Sequence, residues 1–217
     1  SNHTVGVSGT GVFQAQTDAG SGITFDGTDD YITIPYDANL NPSIFSVEFW
    51  AKVATGSSGF RCPVSSRHWD GSDGFYGYNF YYNTDDQWEF WIGSGKPGTW
   101  TGVTYDVDTY DEWVHVAGVY DGTTVKLYIN GELKNTETSA FVPNSIAPLT
   151  IGTVSGVEGY FDGELDEIRL WNTARTEEQI QASYGSLAGN EEGLAAYCLL
   201  NQGSVIPTGY GTVNSYT

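Results

Sequence analysis

The stretch GYFDGELDEIRLWNTARTEEQI, from Gly159 to Ile180, decides the fold of this chain. Its first half is strand-like, with apolar side chains at Leu165, Ile168, Leu170 and Trp171. Its second half carries a helix start, because Thr176 precedes Gln179 by three residues, which is the spacing of a capping box. The stretch therefore predicts a strand that leads into a short helix.

A short pattern within this stretch recurs near the other end of the chain. Phe161-Asp162-Gly163 is followed three residues later by Asp166, and Phe25-Asp26-Gly27 is followed at the same spacing by Asp30. Asp-Gly pairs favour tight turns, because Asp bonds to nearby backbone and Gly accepts a positive φ. Turn formation is therefore one interpretation of the two Asp-Gly pairs.

Short strand candidates recur between turns rich in Gly, Asn and Asp. Ser46–Val53 alternates between apolar and polar residues, which is typical of a strand with one buried face. Only Thr176–Ser183 has a helical pattern. The strongest hairpin signals are Asp121-Gly122 and Asn130-Gly131, which join the strand candidates Trp113–Tyr120, Thr124–Ile129 and Glu132–Glu137. Many strands with one late helix predict an antiparallel sandwich and argue against alternating βαβ units.

Two further segments, Trp113-Val114-His115-Val116-Ala117 and Leu127-Tyr128-Ile129-Asn130-Gly131, complete a family pattern. Together with the Asp-Gly repeats they resemble the LamG-like, concanavalin A-like jelly-roll domains of secreted bacterial proteins, over roughly Gly22 to Tyr184. The resemblance implies an all-β fold, an antiparallel two-sheet jelly-roll sandwich with one short helix. It also implies a secreted or cell-surface location within a larger protein.

Length, charge and cysteine content limit the alternatives. The 217 residues suit one large β domain, expected at residues 1–185, while residues 186–217 supply either a closing strand or the start of a truncated next repeat, with a polar tail. The absence of Met before Ser1 indicates a piece of a longer chain.

With 8 basic and 27 acidic residues, the net charge of −19 argues against nucleic acid as a partner. No apolar run is long enough for membrane insertion. Cys62 and Cys198 are expected to be buried free thiols, with a single disulfide as the alternative.

The carboxylates of the two repeated Asp-Gly motifs are the candidate metal ligands. Calcium takes about six to eight hard oxygen ligands, and turns rich in Asp and Gly supply them. The family resemblance implies a structural Ca2+ that ties the early turn to the late strand. It nominates Asp26 and Asp166, with Asp30 and Asp162 as further candidates. The alternative is that these aspartates only shape turns.

A hydrolase is not expected from this sequence. Glu164-Leu165-Asp166-Glu167 is similar to the Glu-x-Asp-x-Glu strand of laminarinase-type glycoside hydrolases, which share the broad fold. That chemistry needs two carboxyl groups on one face of the strand. Position 168 is Ile, and strict alternation turns Glu167 to the opposite face. The three histidines form no recognisable catalytic arrangement, and His115 is expected to be a satisfied core group.

Aromatic side chains in polar loops are the candidate ligand-binding residues, because flat rings stack on sugars while polar groups direct hydrogen bonds. A second set of aromatics could line a concave sheet face, namely Tyr76, Tyr78, Tyr82, Trp88 and Trp91. The favoured alternative for these five is a place in the aromatic-rich interior of the sandwich, and Trp88 at least is expected there. The predicted function is a non-catalytic carbohydrate-binding or adhesion module that binds a glycan. The alternative is a structural or protein-binding spacer in a tandem adhesin array. The predicted ligand-binding residues are Arg67, His68, Trp69, Asp70 and Trp100.

Overall fold

The computed structural model describes residues 12–13, 22–56, 59–107, 109–155, 158–185, 187 and 189–200. Sixteen strands, one α-helix and one short 3-10 helix (Ala38–Leu40) occupy these residues. The strands are β1 Val12–Phe13, β2 Ile23–Asp26, β3 Ile32–Ile34, β4 Phe45–Val53, β5 Val64–Ser65, β6 His68–Trp69, β7 Phe75–Tyr76, β8 Tyr78–Tyr82, β9 Gln87–Gly93, β10 Trp100–Asp106, β11 Val114–Tyr120, β12 Thr124–Ile129, β13 Glu132–Thr138, β14 Leu149–Ile151, β15 Asp162–Trp171 and β16 Leu194–Cys198, and the helix is α1 Glu177–Ala182.

The strands form two large sheets and one small hairpin. Sheet A has the order β1-β16-β15-β4-β11-β12-β13, with β2 also paired to β15. Sheet B has the order β10-β9-β8-β5-β14-β3, and β6 pairs with β7 alone. The named strand pairs are antiparallel apart from β1 with β16. The predicted antiparallel jelly-roll sandwich with one short helix is confirmed.

The core lies between the two sheets and is rich in aromatic rings. Strand β4 points Val47, Phe49 and Ala51 into it, as the alternation predicted. Phe49 meets Phe80 of sheet B edge to face, with ring centres 5.1 Å apart, and lies 5.9 Å from Trp88. Burial of one face of each sheet against the other is the main source of stability in such sandwiches.

Local signals in the sequence explain the turn and the helix. Asn130 and Gly131 both have positive φ, 50° and 76°, so the β12–β13 turn has the backbone that an Asn-Gly pair favours. Thr176 caps α1 with the predicted capping box to Gln179. Ile180 then packs on the outer face of sheet A, so the helix covers that face.

Strand β15 departs from strict alternation at a bulge. Its pairing with β4 shifts between Asp166 and Arg169, and Glu167 has a φ of 53°. Because the bulge adds one residue, Ile168 returns to the core, and Glu167 contacts Arg169 and the hydroxyl of Tyr197 on the outer side. The prediction that Glu167 points to the face opposite Asp166 is therefore wrong.

The C-terminal part of the described chain belongs to the same sandwich. Leu194–Cys198 pairs with β15 in sheet A, while the predicted polar tail, residues 204–217, lies outside the described residues. Cys62 and Cys198 are buried free thiols, as expected. Burial raises the pKa of both, that of Cys198 to about 12. Within the described part of the chain, no helix has the length and apolar character needed to span a bilayer.

Candidate functional site

A groove of about 660 Å³ runs across the outer face of sheet B. Its floor is formed by strands β8, β9 and β10, and its walls by the β2–β3, β4–β5, β5–β6 and β14–β15 connections. The lining residues combine large aromatic rings, carboxylates, one guanidinium group and one amide: Gly27, Gly59, Phe60, Arg67, Asn79, Tyr81, Glu89, Trp91, Trp100, Glu158, Gly159 and Tyr160.

Strand alternation decides which aromatic rings reach this groove. Tyr78, Tyr82 and Trp88 are buried in the core, which is the alternative favoured from the sequence, and the expectation of a buried Trp88 is confirmed. Their neighbours point the other way, and Tyr81 and Trp91 line the groove. Tyr76 lies outside it, on the small β6–β7 hairpin.

The indole of Trp91 is fixed against the floor of the groove. Its strand partner on β10 is Gly102, and a Cβ atom at that glycine would lie 2.4 Å from Cδ2 of the indole. The ring therefore lies flat across the glycine backbone. Its Nε1 donates to Oε2 of Glu89 at 2.8 Å, and Oε1 of Glu89 accepts from Nδ2 of Asn83 at 2.6 Å. Trp91 is half-buried and thus presents its second face to the groove.

Arg67 organises the neighbouring wall. Its Nη1 donates to the hydroxyl of Tyr81 at 3.3 Å and lies 3.5 Å from Oε1 of Glu158. Its guanidinium carbon is 5.4 Å from the ring centre of Trp100, within cation–π range. Phe60 is 54% exposed and meets Tyr81 edge to face at 5.4 Å. Burial raises the pKa of Tyr81, which keeps its hydroxyl protonated.

Two donors at the groove have no hydrogen-bond partner among the described residues. They are Nδ2 of Asn79, a residue only 2% exposed, and Nε1 of Trp100. A buried donor without an acceptor destabilises a protein by roughly 1–3 kcal/mol. An acceptor supplied from the groove would relieve that penalty.

The five ligand-binding residues predicted from the sequence separate into two groups. Arg67 and Trp100 line the groove. His68, Trp69 and Asp70 do not, because the β6–β7 hairpin carries them away from the floor. There, His68 stacks on Tyr76, Nε1 of Trp69 donates to the carbonyl oxygen of Ser72 at 2.9 Å, and Asp70 pairs with Lys96 at 3.0 Å.

An acidic cluster lies in the turn after β2, next to the groove. Asp26, Asp29 and Asp30 each place a carboxylate oxygen within 4.8 Å of the others. The sequence analysis did not name Asp29 as a candidate metal ligand, although its position beside Asp30 in the same acidic turn is a signal for that role. Asp162 pairs with Asp26 across β2 and β15 but is not part of this cluster.

Asp166 does not reach the acidic cluster, in contrast to the prediction that it shares a metal with Asp26. It lies four residues beyond Asp162 on the same strand, about 13 Å along it. Oδ1 of its carboxylate accepts hydrogen bonds from the backbone N–H groups of Glu167 at 2.8 Å and Leu200 at 3.2 Å. Asp166 therefore supports the bulge and the end of β16.

A second polar cluster is buried on the outer face of sheet A, near α1. Glu48 is fully buried and pairs with Arg175, and its Oε2 lies 3.4 Å from Nε2 of His115. His115 is fully buried, as expected of a core group, but neither ring nitrogen forms an aligned hydrogen bond with a described residue, so the expectation that its polar atoms are satisfied is not met. Burial lowers the pKa of His115, while the Glu48 carboxylate acts in the opposite direction.

Comparisons with known proteins identify relatives of this chain. Mouse (Mus musculus) pappalysin-1 is 24% identical over 172 residues, which are 72% of this chain and 10% of that protein. A Bacteroides ovatus protein, provisionally assigned as a carbohydrate-binding protein, is similar in structure with a TM-score of 0.65 and 22% identity, over 84% of this chain and 52% of that one. The chain thus spans a tenth of the curated relative and about half of this structural neighbour.

A second structural neighbour is the CBM40 module of the Ruminococcus gnavus IT-sialidase, bound to α2,3-sialyllactose. It has a TM-score of 0.60 and 15% identity, over 77% of this chain and 97% of the module. At such low sequence identities, these TM-scores show a shared fold alone. The family model described as the concanavalin A-like lectin/glucanase superfamily matches residues 26–181, most of the chain. The chain therefore belongs to the concanavalin A-like lectin/glucanase superfamily.

Proposed function

We propose that this chain is a non-catalytic carbohydrate-binding module whose ligand lies in the groove on sheet B. The observation that carries the proposal is the fixed indole of Trp91, with one face against Gly102 and the other toward the groove. Sugars present apolar C–H faces that stack on such rings, and their hydroxyls need directed polar partners. Glu89, Asn79 and Arg67 supply polar groups beside the ring.

The position of the carboxylates supports a binding role rather than hydrolysis. The stretch Glu164–Glu167, similar to a laminarinase motif, lies in sheet A and contributes no residue to the groove. Within the groove, both oxygens of Glu89 accept hydrogen bonds from fixed donors, Asn83 and Trp91, which suits a positioning role. No release of reducing sugar from a bound polysaccharide is expected.

A structural calcium ion is the second part of the proposed function. Asp26, Asp29 and Asp30 offer the hard oxygens that Ca2+ prefers, and their convergence is unfavourable without a cation because like charges repel. Gly27, in the same turn, lines the groove. A cation held by these three aspartates would brace the turn at the end of the groove.

The biological setting follows from the same proposal. The chain covers only a tenth of pappalysin-1, so a role as one domain among neighbouring domains of a larger secreted or cell-surface protein fits it. In that setting the module would hold its parent protein on a glycan or polysaccharide, including in adhesion.

The test is glycan binding by native and substituted chains. Native protein is screened on a glycan array, and the strongest ligand is titrated by calorimetry into Trp91→Ala and Trp69→Ala. Loss of the Trp91 ring should weaken binding about tenfold or more, since stacking of ~1.5 kcal/mol corresponds to that factor. Trp69, the exposed tryptophan outside the groove, is the matched control and should leave affinity unchanged.

Two outcomes would contradict the proposed function. One is the absence of binding to every glycan by the folded native chain, which would favour the alternative of a structural or protein-binding spacer. The other is equal affinity of Trp91→Ala and native protein, which would place the ligand elsewhere.

A further inference from the structure

The polar groups on the groove floor have a definite arrangement around Trp91. Asn79 is the strand partner of Trp91, and Glu89 is the partner of Tyr81 on the same pair of strands. Asn79 and Glu89 are therefore diagonal neighbours on the outward face, roughly 7–8 Å apart between backbones. Side chains at this spacing can contact two adjacent groups of one small ligand.

One of these side chains offers a fixed acceptor. A carboxylate can accept about four hydrogen bonds, and Glu89 uses one on each oxygen, from Asn83 and Trp91. Those two donors hold the carboxylate in place. Glu89 is only 6% exposed, so its remaining acceptor capacity is directed to the groove that it lines.

The other side chain offers a donor. Nδ2 of Asn79 has no hydrogen-bond partner among the described residues, and Asn79 is 2% exposed while still lining the groove. Buried amides are normally paired, so an orphan donor under a groove indicates that a ligand supplies the acceptor. A sugar hydroxyl both donates and accepts, and two neighbouring hydroxyls satisfy Glu89 and Asn79 together.

The charge of the groove selects among sugars. Its ionic side chains are Arg67, Glu89 and Glu158, which give 1 − 2 = −1. Arg67 already contacts Glu158 and Tyr81. The whole chain has a net charge of −19, so its field repels anionic ligands.

We infer that the groove recognises a neutral hexose unit through two vicinal hydroxyls, one donating to Glu89 and the next accepting from Asn79, with the apolar sugar face on Trp91. This inference rests on the proposed function and adds the ligand class to it. Glycans with carboxylate or sulfate groups on this unit are excluded. Asn79 and Glu89 are the residues that determine specificity.

The experiment compares matched sugars and matched variants. Native chain is titrated by calorimetry, at physiological salt, with a panel of neutral gluco-, galacto- and manno-oligosaccharides and with the corresponding uronate and sulfated oligomers. Asn79→Ala should weaken binding of the neutral ligand about three- to tenfold, and Glu89→Gln about ten- to a hundredfold, because bonds to a charged group are stronger. Thermal unfolding of each variant verifies that it is folded. Asn79→Ala leaves the Trp91–Glu89 bond in place, so it tests the polar contact alone.

The outcomes separate this inference from the proposed function. Tight binding of neutral oligosaccharides, with at least tenfold weaker binding of acidic ones and the losses above, supports it. Preference for uronate or sulfated oligomers overturns the inference and leaves the proposed function intact, provided that Trp91→Ala still weakens binding about tenfold or more. Unchanged affinity of both Asn79→Ala and Glu89→Gln overturns it in the same way. Absence of binding to any glycan overturns both.

Discussion

Replacing Gly102 with Ala tests the position of the Trp91 ring, on which the proposed site depends. The added Cβ would lie 2.4, 2.6 and 2.6 Å from three ring atoms, whereas ordinary contact begins at 3.4 Å, so the ring and the β10 backbone must separate by about 1 Å. Such a shift stretches the 2.8 Å bond from Nε1 of Trp91 to Glu89. Overpacking of this kind destabilises proteins by about 1–3 kcal/mol.

The direction of the stability change in Gly102→Ala shows whether the clash with the Trp91 ring occurs. Ala in an unobstructed strand position is more stable than Gly by about 0.5–1 kcal/mol, so a net loss of stability requires the clash. We expect Gly102→Ala to unfold at lower urea concentration and to bind glycan at least about tenfold more weakly, because the stacking face is displaced. Urea unfolding followed by far-ultraviolet dichroism and calorimetric titration measure the two effects.

Gly185→Ala is the matched control for this experiment. A Cβ at Gly185 meets nothing within 4 Å, and the backbone there does not have a positive φ. It should leave stability and affinity near the native values. If Gly102→Ala is as stable as native protein and binds glycan equally well, the ring of Trp91 does not lie across that glycine and the reasoning fails.

Three further predictions concern the rest of the sandwich. Calcium at 100 times its dissociation constant should stabilise the native chain by about 2.7 kcal/mol in thermal unfolding. Asp29→Asn should remove this gain, whereas Asp166→Asn should retain it. A melting temperature that changes with neither calcium nor EDTA would contradict the calcium proposal. The free energy of unfolding should fall as the pH drops below about 6.5. Burial lowers the pKa of His115, so below this pH the unfolded chain binds a proton that the folded chain does not. His115→Gln should flatten this part of the profile, and an unchanged slope in that variant would contradict the prediction. Thr176→Ala should cost about 1 kcal/mol through loss of the helix cap, and a difference below a few tenths in urea unfolding would contradict this.

The sequence predicted those elements whose signals are local. Alternation in Ser46–Val53 placed one face of β4 in the core, and the Asn130-Gly131 pair predicted a hairpin because both residues readily adopt positive φ. The capping box at Thr176 likewise needs only neighbours within one turn. Each of these signals operates within a few residues, so no knowledge of the tertiary structure was needed.

The groove could not be predicted in the same way. Strand β8 has aromatic side chains on both faces, at Tyr78 and Phe80 inward and Tyr81 outward, so composition alone does not distinguish the core from the site. The fixed ring of Trp91 depends on the register that places it opposite Gly102, which is eleven residues away in sequence. Exposed Trp69 had the stronger local signal for binding, yet its hairpin directs it away from the groove.

Two predictions for strand β15 were wrong, namely that Asp166 shares a site with Asp26 and that Glu167 faces away from Asp166. The bulge at Glu167 changes which residues of β15 face outward, and no local signal in an acidic stretch marks it. Asp166 shares its motif position with Asp30, but its carboxylate is used by the backbone N–H groups of Glu167 and Leu200. A sequence motif does not show which of two equivalent carboxylates is already engaged.

The most direct test of the central claim is the response of the tryptophan indole N–H signals to a bound glycan. In ¹H–¹⁵N spectra, assigned with single Trp→Phe variants, titration with the strongest ligand should shift the indole signals of Trp91 and Trp100 and leave that of Trp69 in place. Shifts confined to Trp69, with the signals of Trp91 and Trp100 unmoved at saturation, would contradict binding in the groove on sheet B.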